Sequence, residues 1–158
     1  MKYIKTGMAR SDGKRRLDVM VDDQDYEWLN QYYWQANKQL CVNTKINGVR
    51  VLIHRLILNP DKNIEIDHID GNRLNNQRSN LRLATSSQNK CNRGPRKDCV
   101  SGYKGVSWHK QNKKWTARIM GDGKYRYLGL FLNIQDAVNA YNQAAIKYQK
   151  EFAFINPL

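Results

Sequence analysis

The sequence predicts an α+β protein of two small domains: a β-rich first domain ending in a strand, loop, strand, helix unit, then a three-stranded antiparallel sheet packed on one helix. Three observations lead there. A length of 158 residues suits one medium domain or two small ones. Strand-like segments outnumber helical ones, and the one long helical pattern lies near the carboxyl end. The polar run from Lys90 to Lys97, broken by Gly94-Pro95, reads as a linker, giving domains at 1–89 and 101–158 with a basic linker at 90–100.

Composition narrows the class. Hydrophobic residues make up 41% and charged residues 26%, with four Trp, nine Tyr and three Phe, too apolar for a disordered polyelectrolyte. No run approaches the roughly 18 apolar residues of a membrane span. The amino end lacks the apolar stretch of a secretory signal, so a soluble protein in the cytoplasm is expected. Cys41, Cys91 and Cys99 form no CxxC pair and suit reduced thiols rather than a disulfide framework or a zinc site.

Residues 3–21 read as irregular strand, ending in the alternating Leu17-Asp18-Val19-Met20-Val21. Asp22, Asp23 and Asp25 precede Tyr26, Trp28 and Leu29, a short helix whose early acids favour the amino-terminal dipole; an acidic metal cluster is the sharper alternative. Residues 33–52 are strand-like, with Asn47-Gly48 as a hairpin turn. A short apolar segment, His54 to Leu58, ends at Asn59-Pro60. Ile64–His68 alternates as a strand, Leu81-Arg82-Leu83 as its partner, and a polar loop turns at Asp70-Gly71-Asn72. Thr85 and Gln88 form a capping-box pattern that starts a helix at Ser86.

That order puts Asp67 and His68 at a strand end, where a helix can bring Asn89 to meet them. Carboxylate and amide oxygens are hard donors suited to Mg2+, Mn2+ or Ca2+. With an ordinary pKa of about 6.5, His68 can take a proton from water near neutrality. These parts suit phosphodiester hydrolysis. A polar loop with a structural histidine is the bland alternative, and the joint presence of Asp67, His68, Asn80 and Asn89 argues against it.

The net charge of +13 is unevenly spread: residues 1–89 carry +4, residues 90–128 carry +9 and residues 129–158 carry none. The basic block interleaves cations with Tyr103, Trp108, Trp115, Tyr125 and Tyr127, which fits double-stranded DNA better than a membrane surface. RNA is disfavoured because no aromatic RNP-like motif is present. Strands are expected at 103–109, 114–120 and 125–131, then a helix capped by Asn133. Its stripe is Ile134, Ala137, Val138, Tyr141, Ala144, Ala145 and Tyr148. A sheet of this size can enter the major groove. Lys104, His109, Lys114, Arg118 and Arg126 are the candidate contacts, with Trp108 and Tyr127 packing on sugars or bases.

The stretch from His54 to Asn89 resembles the HNH motif of phage and intron-encoded homing endonucleases, a two-strand, one-helix metal finger. The resemblance implies Asp67 as metal ligand, His68 as general base, Asn80 as the central orienting residue and Asn89 as second ligand, with a divalent ion, Mg2+ or Mn2+, as cofactor. The spacings from Asp67 to Asn80 and on to Asn89, 13 and 9 residues, fit that group. His54 matches a feature upstream of the motif and is expected to be structural or close to substrate.

Residues 101–156 resemble the plant ethylene-response-factor (APETALA-type) DNA-binding domain, through Ser101–Val106, Lys114–Ile119, Tyr127–Phe131 and Asp136–Ala145. That resemblance puts Trp115 in the core and the sheet against DNA. Ser107, Gln111 and Met120 replace contacting arginines of plant members, so the target sequence does not transfer. Together these readings predict a site-directed DNA endonuclease, a homing enzyme that nicks or cuts duplex DNA. One metal site per chain favours a monomer, and no protein partner is implied. A non-catalytic DNA-binding regulator is the rival.

Overall fold

The computed structural model describes residues 1–7, 16–121 and 123–158, which form two compact units, Met1–Thr85 and Ser86–Leu158. Residues 8–15 of the expected irregular strand lie outside the described residues.

In the first unit β1 (Lys2–Lys5) and β2 (Asp18–Val21) pair antiparallel, with Ile4 opposite Val19. Helix α1 (Asp23–Leu29) follows directly, its first turn carrying Asp23 and Asp25. Then β3 (Gln35–Ala36), β4 (Val42–Ile46) and β5 (Val49–Leu52) form a three-stranded sheet. The β4–β5 turn uses Asn47 and Gly48 at φ 50° and 80°, the left-handed pair that the Asn-Gly signal anticipates. Helix α2 (Ile53–Leu58) stops at Asn59, which adopts φ 44° and donates its N–H to the Arg55 carbonyl.

β6 (Glu65–His68) and β7 (Leu81–Ala84) form an antiparallel ribbon joined by the polar loop and a 3-10 turn at Arg78–Asn80. Ile4, Val19, Val21, Leu29, Trp34, Val42, Ile53, Ile57, Ile66 and Leu81 make one core. An otherwise unstable two-stranded ribbon is thereby tied to the elements before it.

The second unit opens with α3 (Ser86–Asn92). The expected break after Asn89 therefore falls within a helix. The Lys104 ammonium donates to the Lys90 and Cys91 carbonyls, joining the carboxyl end of α3 to the loop before the sheet. Strands β8 (Val106–His109), β9 (Lys114–Gly121) and β10 (Lys124–Phe131) run as a meander, and α4 (Ile134–Gln149) packs on one face. Asn133 caps α4 by accepting the Gln135 N–H at 2.9 Å. Val106, Ala117 and Ile119 meet Ala137, Val138, Tyr141, Ala144 and Ala145 in the core, with Trp115 packed at its margin. Asn156, almost fully buried, bonds through its side chain to both backbone groups of Lys104 and through its backbone to Asn142, fastening the tail.

Candidate active site

Asp67 and His68 close β6, and both are buried. Strand alternation would send them to opposite faces, but the chain turns at once, with the Gly71 N–H donating to the His68 carbonyl at 2.9 Å. Arg82 stands opposite Asp67 in the β6–β7 register and donates from Nε and Nη2 to Oδ2 at 2.8 and 2.7 Å. The guanidinium offsets the cost of burying that carboxylate and fixes its orientation.

The His68 ring is held from two sides. Its Nε2 lies 3.2 Å from Asn76 Oδ1, and the His54 ring meets it edge to face at 5.3 Å between centroids. Burial lowers the His68 pKa, outweighing the Asn76 hydrogen bond and the nearby Asp70 and Asp67 charges. Burial and the neighbouring His68 bring His54 down to about 4. Arg55 fixes the helix that presents His54, donating to the Ile64 and Asp61 carbonyls at 2.9 and 3.0 Å.

The loop after His68 is built from side-chain amides. Asn80 donates to Asp70 Oδ1 at 2.9 Å and to the Asn75 carbonyl at 2.8 Å, and its Oδ1 accepts the Asp70 N–H at 3.0 Å. Burial pushes the Asp70 pKa upward, but hydrogen bonds from the Asn75 side chain, the Asn72 N–H and Asn80 prevail and leave it below the usual carboxylate range. Asp22, which precedes α1, and Asp25 within it serve this loop too. Asp22 accepts from Gln77 Nε2 and the Arg78 N–H at 3.1 and 2.8 Å, and buried Asp25 takes Arg78 Nε and Nη2 at 2.7 and 2.8 Å. The acidic cluster thus has a mechanical explanation, as a clamp on the loop.

Asn89 lies partly buried on α3, in the second unit. Among the described residues no group of three or more His, Cys, Asp and Glu side chains is gathered to hold a metal ion. Mg2+ needs no such cage, since it keeps waters and takes one or two carboxylates plus phosphate oxygens. The buried Asp67 carboxylate and the Asn89 amide are hard oxygen donors and fit that requirement in kind.

The DNA-binding candidates divide between places. Cross-strand register puts His109 opposite Lys114 and Tyr127 opposite Arg118, all on the face turned away from α4. Arg118 and Tyr127 are exposed there. Trp108 and Arg126 belong to the other face: Trp108 meets Trp115 edge to face at 5.1 Å, and the Arg126 guanidinium lies 4.2 Å over the Tyr148 ring of α4. Lys104 is engaged by α3, and burial pulls its ammonium down to about 8.

Sequence reasoning missed Arg82, Asn76 and the Asp22–Asp25 clamp. Arg82 had a readable signal, because an antiparallel ribbon opposes it to Asp67 and opposite charges pair across strands. The clamp had none, since its bonds cross 53 to 56 positions of chain, and Asn76, eight residues after His68, is one of several amides in the loop that the pattern alone does not tell apart.

Comparison with known proteins bears on the same stretch. Residues 59–91 match the family model described as HNH endonuclease. An HNH endonuclease of Acanthamoeba polyphaga mimivirus is 37% identical over 95 residues, covering 60% of this chain and 48% of that protein. Protein 3.8 of Escherichia phage T7 is 44% identical over 63 residues, 40% of this chain and 52% of its own length. An ethylene-responsive transcription factor of Arabidopsis thaliana is 42% identical over 59 residues, 36% of this chain and 14% of that protein. The chain thus spans about half the length of the two viral relatives. No solved structure matches it significantly. No helix among the described residues is long and apolar enough to cross a membrane. The β6–loop–β7 ribbon and the first turns of α3, with Asp67, His68, Asn80 and Asn89, all fall within the stretch that is similar to HNH endonucleases.

Proposed function

We propose that the protein is a metal-dependent DNA endonuclease of the homing type, hydrolysing phosphodiester bonds with His68 as the base, with its second unit binding duplex DNA. The observation that carries this is a buried His68, held by Asn76 and His54 and next to Asp67 at the end of β6, inside the stretch that matches HNH endonucleases. His68 removes a proton from the attacking water. Asp67, oriented by Arg82, and Asn89 would hold Mg2+ or Mn2+, which when bound supplies neutralisation of charge on the scissile phosphate. Asn80 acts by keeping the loop closed around Asp70, so that the turn after His68 keeps its shape. The homing role rests on the family resemblance.

Support for DNA binding by the second unit comes from the +9 block and from His109, Lys114, Arg118 and Tyr127 on one sheet face. Lys104 and Arg126 contribute there through the loop and the sheet they hold in place.

Incubating supercoiled DNA with the full chain, with and without Mg2+ or Mn2+, tests the reading. Metal-dependent nicking is expected, with His68→Ala slowing it by about 10²–10⁴-fold while leaving DNA affinity intact. Binding without cleavage by both proteins would instead favour the regulator.

A further inference from the structure

We propose that Lys45 and Arg50, side by side on the β4–β5 hairpin, form a phosphate clamp through which the first unit holds duplex DNA beside the cut. This rests on the protein being a DNA endonuclease and names a contact of that unit outside the HNH stretch.

The hairpin turns at Asn47-Gly48, and its register sets Lys45 directly opposite Arg50. Residues so opposed project from one face of the sheet, with Cα atoms about 4.5–5.5 Å apart. Like charges in that position work against the pairing, the reverse of the Asp67–Arg82 arrangement on the β6–β7 ribbon. Both side chains are exposed, and among the described residues neither makes a hydrogen bond or an ion pair. Scattered surface cations call for no partner. Two brought together by strand register do, and an anion shared between them turns repulsion into attraction.

Among the described residues no carboxylate reaches the pair. The acids of α1 and β6 are engaged elsewhere: Asp23 by the amino terminus at 2.6 Å, Glu27 by Lys2 at 2.9 Å, Asp25 by Arg78 and Asp67 by Arg82. The face that carries the pair continues into Asn43 and Leu52, and Asn43 spends its amide on the Gln35 and Cys41 carbonyls at 3.2 Å. A phosphodiester fits the remaining need. Its two non-bridging oxygens accept from the planar Arg50 guanidinium as a fork, while the Lys45 ammonium adds a compact charge.

Chain connectivity places the clamp. β5 runs directly into α2, so Arg50 lies four residues from His54, at most about 14 Å along the chain, and the His54 ring packs on His68. A second tie comes from the loop after His68, where Arg73 Nη1 donates to the Gln39 carbonyl at 3.0 Å, just before β4. That loop is itself pinned by β2: the Asn76 N–H donates to the Met20 carbonyl and the Met20 N–H to the Leu74 carbonyl, both at 2.8 Å. The phosphates that meet the clamp therefore lie within one helical turn, about ten base pairs, of the bond that is cut.

Binding of the metal-free full chain to a mixed-sequence duplex several helical turns long, followed over a range of salt, tests the contact without cleavage. Lys45→Gln and Arg50→Gln should each lower the slope of log affinity against log salt by about 0.9, and the double variant by about 1.8. Lys147→Gln, which removes an exposed cation of α4, should leave the slope unchanged. An unaltered slope in the double variant, or an equal loss in Lys147→Gln, would overturn the clamp. Lys45→Glu separates ligand from fold, because it sets an acid opposite Arg50. Thermal unfolding should move to higher temperature while DNA affinity falls; a lower unfolding temperature would mean that Lys45 serves the fold, and the proposal would go. Single methylphosphonates around the mapped nick then locate the contact. Those within one helical turn should weaken binding by the parent and not by the double variant, and sensitivity confined to more distant phosphates would overturn the placement. The two readings fail separately: a chain that never nicks but loses slope in the double variant keeps the clamp without the endonuclease, whereas nicking with an unaltered slope keeps the endonuclease without the clamp.

Discussion

The two units are held by different means. In the second, β9 and α4 bring Ala117 and Ile119 against Ala137, Val138, Tyr141 and Ala145, and the shape follows from apolar periodicity and close approach. In the first, an apolar core anchors the strands, but the loop around His68 is organised by Asp70, Asn72, Asn75, Asn76 and Asn80 bonding to one another and to the backbone. The contrast teaches that the sheet unit tolerates changes of polarity poorly at its packed face, whereas the loop around His68 depends on the particular donors and acceptors it carries.

The sharpest test of that contrast is Gly105→Ala. Gly105 sits at φ 74°, and a Cβ there would lie 2.3 Å from Tyr141 Cδ2 and 2.4 Å from the Arg118 carbonyl oxygen. Left-handed strain and overpacking together should cost about 2–5 kcal/mol, read as faster amide exchange across β8, β9 and β10 with that of β1 and β2 unmoved. Asn80→Ala comes next. It removes three hydrogen bonds and leaves the Asp70 N–H without its acceptor, a loss of about 1–3 kcal/mol expected as lower thermal stability and faster exchange at Asp70.

The smallest effect is a pH dependence. Lys104 titrates at about 8 in the folded chain, against roughly 10.4 when unfolded. Between those values the unfolded state binds more protons, so stability gained from this group rises with pH over that window, and the burial penalty is full below it. Lys104→Met should flatten the slope of unfolding free energy against pH between 8 and 10, measured by denaturant titration.

Much of this was legible beforehand, for physical reasons that differ by element. The stripe from Ile134 to Tyr148 announced α4 because a 3.6-residue period has no other use, and Asn47-Gly48 announced the β4–β5 turn because both residues tolerate positive φ. Asp67, His68, Asn80 and Asn89 were visible as a pattern. What surrounds them was not: Asp25 finds Arg78 across 53 positions and Asp22 finds Gln77 across 55, and nothing local encodes such partners. The sheet face was half legible. Period-two alternation already separates Arg126 from Tyr127 and Trp108 from His109, so adjacent candidates could not all share one surface.

The grip of β2 and α1 on residues 74–78 bears on how this motif can be moved between proteins. The stretch recognisable as HNH begins at residue 59, yet Met20, Asp22 and Asp25 lie well upstream and form one wall of its loop. A graft bounded by the recognisable pattern would carry Asp67, His68, Asn80 and Asn89 and leave their scaffolding behind. A working cassette has to begin before Met20.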